Sequence, residues 1–329
     1  MSNYFSKLPA IFLTTLGLMT LNPCSAEEVS AYPSKPIRLI VGFATGGISD
    51  VIARALSAKI TEQTGQAVIV ENKPGAGTTI AADFVSKASP DGYTIFLQDM
   101  TTHAINASLY KKLSYDTLKD FSPITLVAST PLMLVTNPSL KVNNLKEFIA
   151  LAKQKSDSLS YSSSGNGAVT HLAAETFNRM VGIQPVHVPF KGSSASTQAV
   201  LAGDVAFTFS SMPPAITLVQ SKKLTGLGVT TLKRISSNPD VPTLSEAGLS
   251  GYDFVLYNGV IGPKGMPADL VKKINGIFAN AVHSPEMKQI FTNLGADPIT
   301  NTPTEFSHQM AEESLKMAKA VKISGAQID

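Results

Sequence analysis

Apolar runs of strand length alternate with helix-period patterns along nearly the whole chain. Residues 37–43, 67–70 and 93–98 are rich in apolar and β-branched side chains, and residues 51–63 and 79–88 between them space their apolar positions for a helix. That gives a β-α-β-α-β opening, with turn signals at Asn72-Lys73-Pro74-Gly75 and Pro90-Asp91-Gly92. The pattern restarts after the midpoint. Helices are predicted over 145–154, 168–180 and 215–222, and strands over 160–163, 186–190, 205–210 and 224–231. The last segments, 267–281, 285–294 and 304–320, are helical. Such alternation predicts an α/β protein with mostly parallel sheets covered by helices. Two similar units followed by a helical tail predict two lobes, the tail returning to the first. We place the boundaries at 27–128 plus 254–329 for lobe 1 and 129–253 for lobe 2.

The first 26 residues have a different pattern. One positive charge at Lys7 precedes the apolar run LPAIFLTTLGLMTL, and NPCSA closes it with small residues. This is the pattern of an export signal, with cleavage predicted after Ala26. The single cysteine, Cys24, lies inside the signal, and Asn22-Pro23 before it suits lipid attachment poorly. A mature chain without cysteine excludes disulfides, thiolate zinc sites and cysteine nucleophiles. No later stretch approaches the roughly 18 uninterrupted apolar residues of a membrane span.

Composition narrows the partners. Of 329 residues 43% are hydrophobic and 16% charged, which suits a soluble globular chain. The net charge of +3 comes from scattered lysines and arginines, so the concentrated basic face that nucleic acid requires is missing.

Candidate chemistry sits where strands meet helices. In IRLIVGFATGGISDVIARAL (37–56) an apolar strand ends on Gly46-Gly47 and a helix begins at once. The first turn of a helix carries N–H groups with no intrahelical partner, and the helix dipole adds positive charge there. Glycines let the backbone approach a ligand closely, so this junction is an anion site as well as a tight turn. Ser49 is placed to cap the helix. Asp50 would repel an anion aimed at the same N–H groups, so it is expected to point aside as a local cap or to meet an amine on the ligand. LSYSSSGNGAVTHLAAETF (159–177) repeats the device, passing through small residues 162–167 into a helix. Its near-GxGxxG has Thr170 in place of the third glycine, and no acidic residue follows the next strand to hold a ribose, so a dinucleotide site is not supported. Two such junctions facing each other across a cleft could hold both ends of a small carboxylate with no arginine.

Enzyme readings find less support. His171 and Glu175 share a helical face, yet two ligands do not make a metal site, and His103, His187, His283 and His308 are dispersed. Ser162, Ser163 and Ser164 lie on a turn without a GxSxG motif or an assignable His/Asp set. We therefore expect no catalytic residues, no metal and no cofactor, with a hydrolase as the weaker alternative. Lys191 is either a ligand counter-charge or an exposed loop lysine, and Tyr257 and Asn258 are either cleft residues or strand packing.

The motifs PSKPIRLIVGF, GGISDVIARAL, VIVENKPGAG, SPDGYTIFL, THAINASLY, LSYDTLKDFSPITL, YSSSGNGAVTHLAAETF, HVPFKG, LAGDV, DVPTLSEAGL and PKGMPADLV occur in that order. In this they resemble the periplasmic solute-binding proteins of tripartite tricarboxylate transporters, the Bug family, over essentially the whole mature chain. The resemblance implies a type II periplasmic binding protein, with two α/β lobes, a two-stranded hinge and a cleft that closes on ligand. It maps a first binding loop to Gly46, Gly47, Ile48, Ser49 and Asp50, and a second to Ser164, Gly165, Asn166, Gly167, Ala168 and His171. Further implied cleft residues are Thr101, Thr102, Asn106, Phe190, Lys191 and Asp204. The implied partners are a small organic carboxylate and the membrane permease subunits of a transporter, or alternatively a signalling receptor, for a monomeric binding protein. Two departures stand out. Gly42 and Ala44-Thr45 replace a proline-rich lead-in and are expected to alter the cleft floor, and Thr78 replaces a common glycine and is expected to affect only a turn.

Overall fold

The computed structural model describes residues 31–155, 158–235 and 239–324, together with Met1 and Val29. The predicted signal segment, Met1 aside, and its Cys24 lie outside the described residues. Strands are β1 (Ile37–Val41), β2 (Val68–Asn72), β3 (Thr94–Asp99), β4 (Phe121–Thr136), β5 (Ser160–Ser163), β6 (Val186–Pro189), β7 (Phe207–Ser211), β8 (Thr225–Val229), β9 (Val255–Pro263) and β10 (Asp297–Pro298). Helices are α1 (Ile48–Thr64), α2 (Thr79–Ser86), α3 (Met100–Leu109), α4 (Leu145–Gln154), α5 (Val169–Val181), α6 (Ser193–Ala202), α7 (Met212–Gln220), α8 (Ala268–Val282), α9 (Pro285–Asn293) and α10 (Pro303–Ser324). None of the described helices is long and apolar enough to cross a membrane.

The opening forms as its pattern predicts. Leu39, Ile40 and Val41 of β1 are fully buried because parallel neighbours flank the strand on both sides, β2 on one and β3 on the other. Helix α1 buries Ile48, Ile52, Leu56 and Ile60, four apart along one face, and stops at Gly65, whose left-handed backbone (φ 71°) sends its N–H to the Thr61 carbonyl. In the second half β5 lies parallel to both β6 and β7.

Two long strands join the halves, and both run antiparallel to their neighbours. The strand order is β2-β1-β3-β9-β4-β7-β5-β6, with β8 and β10 also pairing β4. Strand β4 pairs with β9 up to Pro131 and with β7 and β8 from Leu132 onward. The exchange falls at a proline, which has no N–H to give a ladder. Thr230 stitches the crossing: its hydroxyl accepts from Leu132 N (2.9 Å) and donates to the Phe254 carbonyl (2.6 Å).

Neither β4 nor β9 stands out in the sequence, and α7 begins three residues before the predicted 215. Pro213 and Pro214 sit in its first turn, where a missing N–H costs nothing. Of the terminal helices, α8 and α9 pack on α1, and α10 on α3 and β4. Helix α10 also reaches α5 in the second half.

Candidate functional site

Five helices begin at one place. Each follows a strand directly: α1 after β1, α3 after β3, α5 after β5, α6 after β6 and α7 after β7. Their starts meet at the carboxyl ends of those strands, where open α/β sheets place ligands. Gly47, Ile48 and Ser49 of the first, Asp99 of the second, Val169 and Thr170 of the third, Ser193 and Ser211 line a cavity of about 20 Å³, completed by Phe43, Ser164 and Leu256. At the starts of α1, α6 and α7 no side chain caps the first-turn amides, while at α5 the Val169 amide is taken by the Thr102 hydroxyl. Those three uncapped N-termini put partial positive charge on one small, buried volume that has no lysine or arginine in its wall.

The wall also carries hydroxyls. Ser49, Thr170 and Ser211 are each at most 2% exposed. Ser49 Oγ accepts from Asn258 Nδ2 (2.7 Å), and Ser164 Oγ shares a hydrogen with Thr170 Oγ1 (2.7 Å). Ser211 Oγ has no hydrogen-bond partner among the described residues, a buried group that native structures normally satisfy.

A second cavity of about 220 Å³ adjoins the first through Phe43 and Ser164. Its wall comprises Gly42, the turn from Gly75 to Thr78, Gly165, Asn166, Pro189, Phe190 and Lys191. The halves touch around it. Thr102 Oγ1 accepts from Val169 N (3.0 Å), Ala44 N donates to the Lys191 carbonyl (3.3 Å), and Tyr110 OH donates to the Asn166 carbonyl (3.4 Å). The protein is therefore in a closed form. A larger groove of about 520 Å³ lies elsewhere, against Pro131, Lys233, Tyr257 and Asp297, and receives no helix N-terminus and, Tyr257 apart, none of the residues singled out in the sequence.

The model of the tripartite tricarboxylate transporter family receptor matches residues 52–325. The chain belongs to that family. Three solved structures are similar to it, each at a TM-score near 0.85. Rpa4515 of R. palustris, solved with adipate, is 31% identical and matches 90% of this chain and 100% of its own at a TM-score of 0.87. The periplasmic binding protein BugD is 30% identical over 90% and 99%, at 0.86. MatC of Rhodopseudomonas palustris, with bound malate, is 30% identical over 88% and 100%, at 0.84. The type II periplasmic binding protein fold and the periplasmic solute receptor class follow from these likenesses.

Within this receptor the predicted residues separate into groups. Gly47, Ile48, Ser49 and Ser164 line the smaller cavity, and Gly165, Asn166, Phe190 and Lys191 the larger one, with the Lys191 side chain exposed. Asp50 turns away from both. It accepts from Gly46 N (3.0 Å), Asn72 Nδ2 (2.9 Å) and the Arg54 guanidinium (2.9 Å), so it props the loop from behind. Burial alone would raise its pKa, but Arg54, Gly46 and Asn72 together hold it below the usual carboxylate value.

Of the glycine pair, only Gly46 needs to be glycine for its backbone. Its φ is +86° and a Cβ there would lie 2.7 Å from Ser194 Oγ, whereas Gly47 has φ −80° and no such neighbour nearer than 4.0 Å. Asn106 donates to the Gly77 carbonyl (2.7 Å) and so holds the opposing turn. Thr101 faces β9, bonding Val255 O (3.0 Å) and Tyr257 N (3.2 Å), and does not line either cavity. Gly167 and Ala168 shape the entry to α5, Gly167 N donating to His171 Nδ1 (3.3 Å). His171 stacks on His187 at 4.0 Å, and burial lowers its pKa to about 4, so it is a neutral support outside the cavities. Its supposed metal partner Glu175 accepts from Tyr161 OH. Asp204 is exposed and lies beyond the far end of α6, about 15 Å along the helix from Ser193.

The expectation for Thr78 needs correction. Its backbone is left-handed (φ 72°), its side chain is buried, and Gln98 Nε2 donates to its hydroxyl (2.6 Å). A Cβ on Gly42 would lie 2.7 Å from Thr78 Cβ. The two departures from the family pattern are thus one feature, a glycine making room for a threonine in the wall of the larger cavity. Asp99, Thr170, Ser193 and Ser211 escaped sequence reasoning. The sequence does signal three of their junctions, since Lys191-Gly192-Ser193, Ser210-Ser211-Met212 and Gln98-Asp99-Met100 all lie where a strand gives way to a helix.

Proposed function

We propose that this receptor captures a small dicarboxylate between its two halves and, closed around it, docks on the membrane permease subunits of a tripartite transporter. The observation that carries the reading is the meeting of three uncapped helix N-termini, those of α1, α6 and α7, at one buried, hydroxyl-lined cavity. One carboxylate fits the small cavity, which holds little more than a water-sized group. The rest of the ligand extends into the adjoining 220 Å³, towards Lys191. Adipate and malate in the related structures are both dicarboxylates, which supports the class. The chain acts by binding alone, as a monomer exported after removal of residues 1–26. Ligand drives closure because contacts to both halves exist only in the closed form. The two halves move as units about the crossing points on β4 and β9.

A thermal-shift screen tests this. Receptor refolded free of carried ligand is melted with a panel of mono-, di- and tricarboxylates. A ligand at 100 times its dissociation constant adds about 2.7 kcal/mol, enough to raise the midpoint by several degrees. A cleanly melting receptor that no dicarboxylate stabilises would refute the proposal.

A further inference from the structure

The cavity at the helix N-termini contains a carboxylate of the protein itself. Asp99 is its only acidic lining residue, no cationic side chain lines it, and Asp99 is 1% exposed. Both of its oxygens are held from one side, Oδ1 by Thr102 N (2.9 Å) and Oδ2 by the Thr102 hydroxyl (2.6 Å). Opposite it on β9 stands Asn258, which is uncharged. The nearest field from another element is that of Glu313 on α10, of the same sign. His103 on α3 and His171 on α5 stay neutral above pH 4, since burial lowers both to about that value. A ligand carboxylate entering this volume makes a second anion beside Asp99. Two close carboxylates without a cation share a proton, because both cannot ionise.

We propose that Asp99 is a proton-binding residue of the receptor and that a dicarboxylate is captured together with one proton, which Asp99 takes from solution and donates to the ligand carboxylate. The inference rests on the carboxylate reading of the cavity. The closed form is already poised for it: burial raises the Asp99 pKa there to about 6 against the opposing bonds from Thr102 and Thr101. Asparagine is an equally good helix cap, so Asp99→Asn removes the titration and leaves the start of α3 intact.

The test is titration calorimetry of the receptor with adipate and with malate at pH 7.5, in buffers of different ionisation enthalpy. The expected result is close to one proton taken up per ligand bound, with the dissociation constant rising about tenfold between pH 6.5 and 7.5. In Asp99→Asn the uptake disappears and the affinity is the same at both pH values. Binding without proton uptake, or uptake unchanged in the variant, overturns the proposal and leaves the carboxylate reading standing. No binding of either acid by a cooperatively melting receptor removes both.

Discussion

The Thr102 hydroxyl lies 3.0 Å from the Val169 amide and 2.6 Å from Asp99 Oδ2, so one side chain on the first half joins a buried carboxylate to the first turn of a helix on the second. Opening the halves breaks the Val169 bond and leaves the Asp99 bond in place. Thr102→Val keeps the shape and removes both. A buried donor left unpaired costs about 1–3 kcal/mol, so ligand affinity should fall roughly tenfold to a hundredfold. Calorimetric affinities of wild type and variant check this, and equal affinities would show that Thr102 does not support closure.

The turn at Gly77 tests closure by steric means. Its φ is +57° and a Cβ there would lie 2.6 Å from the Asn166 carbonyl on the other half. Gly77→Ala should block closure and cut affinity at least a hundredfold, at a backbone cost of about 1 kcal/mol to the free protein. Gly182→Ala is the control, since it has a similar φ of +76° with no atom within 4 Å. It should lose comparable stability and bind normally.

Gly42 and Thr78 should be energetically coupled. Gly42→Ala alone places a methyl against the Thr78 side chain and should destabilise the protein by about 1–3 kcal/mol, while adding Thr78→Gly should recover most of that loss. Urea unfolding of the four members of the cycle measures the coupling. Strict additivity would mean that the turn moves aside.

Asp99 also sets a pH dependence of stability. Its folded pKa, about 6, lies above the ordinary aspartate value of 3.8, so its charge opposes folding increasingly as pH rises from about 4 through 6. Two units correspond to about 3 kcal/mol. The stability of Asp99→Asn relative to wild type should therefore rise by that order between pH 4 and 7. The buried histidines act in the other direction. Burial lowers His103 and His171 to about 4 and His187 to about 3, so their contribution is lost as pH falls below 6.5 through those values. Denaturant titrations at four pH values separate the two, because only the Asp99 contribution changes in the variant.

The sequence made the first half legible where local pattern and final packing agree. The apolar run of β1, the four-residue spacing of α1 and the glycines between them all point to one strand–turn–helix unit. It did not reveal β4 or β9. Pro123 and Pro131 interrupt one and Gly259 and Gly262 the other, and their extended state is fixed by pairing with each other across more than a hundred residues. The cavity was half visible. Glycines flagged the starts of α1 and α5, while Ser193 and Ser211 mark equivalent starts with a less conspicuous residue. Asp99 was hidden at the end of an apolar run, where its role depends on which helix starts the fold brings beside it. Asp204 belongs to a recognisable motif but sits beyond the wrong end of its helix.

The most direct test of the central claim is a crystal structure of the receptor with adipate. One carboxylate should lie within hydrogen-bond distance of Ser49, Thr170 and Ser211 at the five helix starts, with the chain extending past Phe43 towards Asn166 and Lys191. Adipate seated in the groove against Pro131, Lys233 and Asp297, with the cavity at the helix starts unchanged, would contradict the account.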